Sequence, residues 1–375
     1  MILPKKTYKI ALIGYRLTEG GGDKVMANLS LFFDKAGIEV HTIIVLDAVT
    51  YLYAGKLVNM GLLKNKSNNF GNKFKRLLFL RNYLKVNNFD FIIDFRPRTK
   101  PLQELFIARL VYNTNTIFTV HSYLIDYYMP KQIWLTNLIY KNAYATVAIV
   151  DKIKELAESK YNFKKIITIF NPINLEEVNN KRNEQIDINF DYIIAIGQYH
   201  DNIKQFDKLI LSYANSILPI TDIHLVILGN GNKEFLTKVA IENNVLNFVH
   251  LFEFQNNPFK YINKSKFLIL SSKNEGFPNV ILESLACQIP VIAFDCKTGP
   301  REMIVNKKNG LLVENQNTEK LTEAMNLFVE DMELYNYCKK NALESIQRFS
   351  LGSIGKQWLD LMGIENVNDE SDTEL

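Results

Sequence analysis

Short apolar runs recur along this chain, separated by longer stretches in which apolar and polar positions alternate at helical spacing. Tyr8 to Ile13, Glu39 to Leu46, Phe91 to Asp94, Asn115 to Val120 and Ala145 to Val150 are short, apolar and rich in β-branched residues. Near-continuous apolar strands alternating with amphipathic segments predict a parallel sheet covered by helices on both faces. The same grammar restarts at Tyr192 to Ile196 and continues through His224 to Leu228, Phe267 to Leu270 and Pro290 to Phe294. The pattern therefore predicts an α/β protein of two doubly wound, Rossmann-like domains facing each other across a cleft. Residues 1–173 form the first domain and 191–345 the second, and the polar, Asn-rich "NLEEVNNKRNEQIDINF" of Asn174 to Phe190 is the expected linker. A C-terminal helix over 346–362 is expected to return toward the first domain. Gly363 to Leu375, with five acidic residues and no basic one, reads as a disordered tail.

Composition agrees with two folded lobes. A chain of 375 residues exceeds one ordinary core. With 47% apolar and 22% charged residues it has the balance of a globular protein and not of a disordered one. No apolar run reaches the roughly 20 residues of a membrane helix, and "MILPKKTYKIALIG" enters a strand pattern with no cleavable signal, so a cytoplasmic protein is expected. Cys287, Cys296 and Cys338 lack metal-ligand spacing and read as small core residues. No pair of aspartates is separated by one residue and the histidines are scattered, so no metal site is expected.

Charge changes the picture more. The net charge of +4 hides 25 basic against 12 acidic residues up to Asn171, and 19 against 28 in the remainder. Only the first lobe is suited to a polyanion or an anionic membrane surface. Residues 48–88 hold eight Lys or Arg and no acid, including "FGNKFKRLLFLRNYLK", which predicts a basic amphipathic helix. Such a helix can pack on its own sheet with its charges in water, or meet anionic lipid headgroups as a peripheral anchor. No nucleic-acid-binding module is present, and the lobe's aromatics read as core.

The chemistry concentrates in "SSKNEGFPNVILESLACQIPVIAFDCKTGPREMI", Ser271 to Ile304. Glu283 lies among Val280, Ile281, Leu282, Leu285 and Ala286, where a carboxylate without a partner is costly. Gly276 is expected to supply an unusual φ after the strand, and Pro278 to occupy the first helical turn. The amides of Phe277, Asn279 and Val280 would then face an anion at the helix N-terminus. Glu275 stands on the loop just before. A carboxylate at Glu283 can accept hydrogen bonds from two vicinal hydroxyls, as a ribose presents. The competing reading for both glutamates is a buried salt bridge with a lysine such as Lys273.

Glu275 and Glu283, with Gly-Phe-Pro-Asn between them and "GPREMI" beyond the next strand, resemble the signature of retaining glycosyltransferases of family four, which have the GT-B fold. The resemblance runs along almost the whole chain. "GGGDKVMANLS" from Gly20 is similar to the family's first glycine loop, which includes Gly21 and Gly22, and "TVHS" to its histidine loop. "TIFNPIN" resembles its domain junction, "AIGQYHDNIKQFDKLI" its donor-phosphate strand and loop, and "ILGNGNKEFL" its second glycine turn. The flavour is that of bacterial enzymes extending lipid-linked oligosaccharides, lipopolysaccharide or capsular glycans.

The resemblance implies a role for each matched residue. Glu283 would bind ribose, Glu275 would sit beside the donor sugar, and the amides of Phe277 to Val280 would hold sugar hydroxyls and diphosphate. Lys204 would neutralise the departing diphosphate, with Gly197, Gln198 and Gly229 lining the donor loops and Glu253 near the base. Gln198 stands where the family usually has an arginine, Asp23 replaces a common glutamate, and Glu253 stands where glycine is frequent. His121 is either a satisfied core histidine or a contact to acceptor or donor sugar. Arg96 and Arg98 are either a solvated turn or a grip on acceptor phosphate.

The expected function is retaining, metal-independent transfer of a hexose or N-acetylhexosamine from a UDP-sugar to a lipid-linked or surface glycan. It would occur at the inner face of the cell membrane, with no cofactor besides the nucleotide-sugar donor. A non-catalytic nucleotide- or membrane-binding subunit and a UDP-sugar epimerase of the same fold remain open alternatives.

Overall fold

A computed structural model of the chain describes residues 7–65, 70–161 and 165–365. The acidic tail expected from Gly363 lies outside them beyond Glu365. The chain divides into two compact units, residues 1–172 with 351–375, and residues 173–350.

The first unit is built on seven parallel strands: β1 (Lys9–Gly14), β2 (Glu39–Ile44), β3 (Lys56–Asn59), β4 (Phe91–Asp94), β5 (Asn115–Val120), β6 (Ala145–Ala148) and β7 (Ile166–Thr168). Their order in the sheet is β3-β2-β1-β4-β5-β6-β7. The helices are α1 (Gly21–Lys35), α2 (Phe70–Asn87), α3 (Pro101–Phe106), α4 (Ile133–Tyr140) and α5 (Asp151–Tyr161). A π turn over Ile107–Val111 continues α3. Ile10, Leu12, Ile93, Ile117 and Val147 from the central strands pack with Val25, Leu29 and Phe33 of α1 in one core.

The second unit repeats the plan with six parallel strands: β8 (Tyr192–Ile196), β9 (His224–Leu228), β10 (Val249–Phe252), β11 (Leu268–Leu270), β12 (Val291–Phe294) and β13 (Gly310–Val313). Their order is β10-β9-β8-β11-β12-β13. Its helices are α6 (Leu175–Lys181), α7 (Phe206–Ala214), α8 (Lys233–Glu242), α9 (Phe259–Lys264), α10 (Asn279–Ala286), α11 (Pro300–Met303), α12 (Thr318–Glu330) and α13 (Met332–Ser345). Asparagine starts several of them: Asn174, Asn232 and Asn317 each accept a hydrogen bond from the backbone N–H three residues on. Such a cap satisfies one of the amides a helix start leaves without a partner and stabilises it by about 1 kcal/mol. The expected linker is thus partly helical, since α6 follows Asn174 and buries Val178. The final helix, α14 (Leu351–Met362), belongs to the first unit, where Ile354, Trp358, Leu359 and Met362 join the core around α1.

In each sheet the order in which strands are added reverses once, between β1 and β4 and between β8 and β11. In doubly wound sheets a crevice opens at that switch point, outside the carboxyl ends of the strands, and ligands bind there.

Candidate functional site

In the second unit four of the six strands lead into a candidate residue from their carboxyl ends. Gly197 follows β8, Gly229 follows β9, Glu253 follows β10, and Ser271 opens the loop that carries Glu275 after β11. Gly229 has φ +150°, and a Cβ there would lie 2.0 Å from the Gly197 carbonyl oxygen, so the two loops approach backbone to backbone. A Cβ on Gly197 would in turn meet the Lys204 side chain at 2.6 Å. The lysine is therefore laid across the end of β8 by a position that only glycine leaves open.

Lys204 Nζ donates to Glu275 Oε1 at 2.6 Å, and the two side chains are only 18% and 12% exposed. Ser271 Oγ donates to the Lys204 carbonyl at 2.7 Å, and the Lys273 N–H to the Ile203 carbonyl at 2.8 Å, which ties the Lys204 loop to the end of β11. Thr298, after β12, holds the Glu275 carbonyl through its hydroxyl. A lysine does pair with Glu275, but it is Lys204 from another loop and not Lys273, which is exposed. The partner is itself a candidate site residue, so the switch point holds a compact cation–carboxylate pair beside the backbone of Gly197.

Two local expectations are corrected. Pro278 is the N-cap of α10, with φ −74° and ψ 92°, and the first helical residue is Asn279. The positive φ near this turn falls on Gly299 (+96°) and not on Gly276. A Cβ at Gly299 would strike Pro278 Cδ at 2.5 Å, so the "GP" after β12 is shaped to seat the proline of the "GFP" loop. Phe277 is buried and stacks edge-on against Phe349, which anchors the loop from below. Asn279 and Val280 stay half-exposed in the first turn of α10.

Glu283, one turn further, is half-buried on a helix whose Ile281, Leu282, Ser284, Leu285 and Ala286 are all buried. Its charge is felt by Cys287, whose thiol is pushed up to about 12 mainly by burial and then by Glu283. Burial, with Glu275 second, does the same to Cys296. Both cysteines are free, buried thiols. Beyond Gly229, a cavity of about 420 Å³ is lined by His200, Asn230 to Glu234 and Glu253. Glu253 itself is exposed and paired with Lys233 at 3.3 Å. Gln198, which follows Gly197, is exposed. A larger cavity of about 710 Å³ lies at the opposite end of the sheet, under residues 185–192, and none of the candidate residues lines it.

In the first unit, His121 directly follows β5, and a Cβ on Gly22 would lie 3.7 Å from its ring. The structure thus brings the glycine loop, Gly21 and Gly22 in the first turn of α1, against the histidine. The imidazole stands beside Phe95 and Tyr128. Both ring nitrogens are shut off from solvent and neither has a hydrogen-bond partner. Burial, helped by the charge of Arg98, lowers the imidazole to about 3, so it is neutral at physiological pH. One nitrogen can then donate and the other accept. Asp23, in the first turn of α1, is pushed up to about 6 by burial against the opposing pull of Arg16, whose Nε lies 3.3 Å away.

Arg96 and Arg98 fit neither reading given them above. Arg96 donates to both oxygens of Asp94, to Glu104 and to Tyr112, all buried. Arg98 is fully buried, bonded to the Tyr140 hydroxyl and to the carbonyls of Tyr128, Arg96 and Thr119. Their guanidinium groups brace the loops after β4 and β5 and face away from water. Sequence reasoning also missed Thr298 and the buried, unpartnered Ser272 hydroxyl at the end of β11. The Ser-Ser pair following an apolar strand was the available signal for the latter. Among the described residues, no group of three or more His, Cys, Asp or Glu is placed to hold a metal ion.

Comparison with known proteins adds identity to this geometry. The description "Glycosyltransferase Family 4" matches residues 19–177, and "Glycosyl transferases group 1" matches residues 177–345. The N-acetylgalactosamine-N,N'-diacetylbacillosaminyl-diphospho-undecaprenol 4-alpha-N-acetylgalactosaminyltransferase of Campylobacter jejuni is 30% identical over 365 residues, covering 94% of this chain and 98% of that protein. Among solved structures, a glycosyltransferase from Rickettsia africae superposes with a TM-score of 0.75 at 18% identity, over 97% of this chain and 100% of that one. Anabaena HepE in complex with UDP and glucose gives 0.75 at 15% identity, over 95% and 99%. These two likenesses establish a shared fold.

Proposed function

The chain belongs to glycosyltransferase family four and has the GT-B fold, and on that premise we propose that it moves a hexose or N-acetylhexosamine from a UDP-sugar, with retention and without a metal, to a hydroxyl of a lipid-linked or surface glycan. The observation that carries this reading is the convergence at the β8/β11 switch point of Lys204, Glu275 and the α10 start, with Glu283 one turn inside. Glu283 accepts hydrogen bonds from the ribose hydroxyls. Asn279 and Val280 present the first turn of α10 to the donor, beside Gly276. Lys204 turns from Glu275 toward the diphosphate, and Glu275 is left beside the donor sugar. The base lies toward Gly229 and the cavity that Glu253 lines.

In the transfer step the bond from the sugar's anomeric carbon to the phosphate oxygen breaks as the acceptor oxygen bonds to that carbon on the same face. The acceptor proton passes to the departing phosphate. Negative charge grows on UDP, where a fixed cation such as Lys204 lowers the barrier. On the acceptor side, the neutral imidazole of His121 holds a hydroxyl and does not take the proton. The Campylobacter relative's name specifies a diphospho-undecaprenol-linked acceptor, which supports a lipid-linked glycan here. The surplus of 25 basic over 12 acidic residues up to Asn171 supports peripheral contact with an anionic membrane at its cytoplasmic face. No nucleic-acid partner is proposed, because the basic lobe shows no nucleic-acid-binding module.

A thermal-shift panel of nucleotides and nucleotide sugars tests the donor site, since a ligand that binds only the folded state raises its melting temperature. UDP or a UDP-sugar should stabilise the parent and not Glu283→Ala. Absence of any shift at millimolar nucleotide would favour the non-catalytic alternative. Transfer measured in excess EDTA should stay within about twofold of the untreated rate, because Lys204 takes the part a metal would play.

A further inference from the structure

Helices α2, α3 with its π turn, and α4 lie side by side on the first unit. Arg109 Nη2 donates to the Leu138 carbonyl at 2.6 Å and ties the π turn to α4. Each helix buries one face: Arg76, Leu80 and Leu84 on α2, Ile107 and Val111 along the π turn, Leu135 and Ile139 on α4. Each also turns large apolar side chains outward at helical spacing. These are Phe74 and Leu78 on α2, Leu102, Phe106 and Leu110 along α3 and the π turn, and Ile133, Trp134 and Leu138 on α4. Leu102 is 74% exposed, Trp134 61% and Leu110 54%. The exposed apolar side chains are spaced i, i+4 on helices that touch one another, and such a concentration of apolar exposure marks a docking surface.

Charge selects the occupant. The three helices and the π turn contain a single acid, Glu104, and it is buried against Arg96. Their exposed charges are Lys73, Lys75, Arg81 and Lys85 on α2, with Lys100 and Lys141 at the ends of α3 and α4. A second copy of the chain docking isologously would set cation against cation. An anionic bilayer accepts both features, with acyl chains for the apolar stripes and headgroups for the lysines.

We propose that the α2–α3–α4 face seats in an anionic lipid surface, with Leu102, Leu110 and Trp134 entering the headgroup–acyl boundary and the flanking lysines binding lipid phosphates. This deepens the lipid-linked acceptor reading above, on which it rests, and replaces the basic helix alone with a three-helix platform.

The test uses the whole chain with vesicles of phosphatidylcholine, alone or containing phosphatidylglycerol. Trp358 is buried, so a change in tryptophan emission on binding reports Trp134. The parent should co-sediment with the phosphatidylglycerol vesicles, and its emission should shift to shorter wavelength. Leu102→Glu/Leu110→Glu should bind at least about tenfold more weakly, with the milder Leu102→Ser/Leu110→Ser in between, while both keep the parent's UDP-induced thermal shift. Equal binding by parent and variants, or an unmoved emission, overturns the proposal, and so does a parent dimer that the variants disperse. The arms separate the two readings. Loss of vesicle binding with an intact UDP response locates the docking face, whereas vesicle binding without any UDP response sinks the transferase reading and leaves the face standing.

Discussion

Replacing His121 with asparagine should flatten part of the acid destabilisation of the first unit. The imidazole is held at about 3 against an ordinary 6.5 because its nitrogens are buried and Arg98 is near. A basic group with a lowered value favours the neutral form in the fold. Above 6.5 both folded and unfolded chains carry it neutral and nothing is lost. As pH falls below 6.5 the unfolded chain takes up a proton that the folded site refuses, so stability drops until about pH 3. At pH 5 the difference amounts to about 2 kcal/mol. For a unit of this size that is about 4–8 °C in melting temperature.

Asp23 works in the opposite sense. Its carboxyl, raised to about 6, binds a proton more tightly in the fold, so acidification through 6 adds stability, on the order of 1 kcal/mol by pH 5. The parent alone therefore shows only the remainder. The informative quantity is the difference between parent and His121→Asn in the drop of the first-unit transition from pH 8 to pH 5, read by scanning calorimetry. Other carboxylates titrate alike in both proteins and cancel. An identical drop in the two would refute the reasoning, because it would mean that His121 is solvated or charged in the fold.

Lys204→Ala should cost roughly 10²–10³ in kcat, with the donor KM moving far less, since the cation acts on charge that appears as UDP leaves. Loss confined to KM in steady-state kinetics would count against that role. Gly229→Ala, which puts a Cβ 2.0 Å from the Gly197 carbonyl at φ +150°, should cost about 1–3 kcal/mol. The paired control Gly352→Ala, with nothing within 4 Å, should be neutral or stabilising by about 0.5 kcal/mol in the same melts. Arg98→Met should destabilise the first unit by about 3–5 kcal/mol, because it leaves buried carbonyls and the Asp94 charge short of a donor. A loss under about 1 kcal/mol in calorimetry would show that the network is slack.

The central strands were legible because burial on both faces leaves a near-continuous apolar run. Phe91–Asp94, Asn115–Val120, Tyr192–Ile196 and His224–Leu228 fall where the pattern placed them. The strands it did not announce, β3, β7, β10 and β13, are the four sheet edges. An edge strand such as Lys56–Asn59 or Val249–Phe252 has partly exposed positions and a mixed composition, so its run is broken. Much of the candidate site was legible as a set of loops, since Gly197, Gly229, Glu253, Glu275 and His121 each come shortly after a strand end in the sequence. Its pairing was not. Lys204 and Glu275 are 71 positions apart, and nothing in spacing says that a glycine at 197 lays the one across to the other. Arg96 and Arg98 misled for a related reason. A Pro-rich basic turn looks solvated until Asp94, Glu104, Tyr112 and Tyr140 from four segments close around it.

The measurement that bears most directly on the whole account is proton NMR of the protein incubated with an α-configured UDP-sugar and a polyprenyl-diphosphate-linked glycan. Release of UDP together with a new α-anomeric signal on the acceptor, absent with Glu283→Ala, is the predicted result. A β-anomeric product would contradict same-face transfer. UDP release with free sugar alone, or no turnover with any acceptor, would contradict the transferase itself.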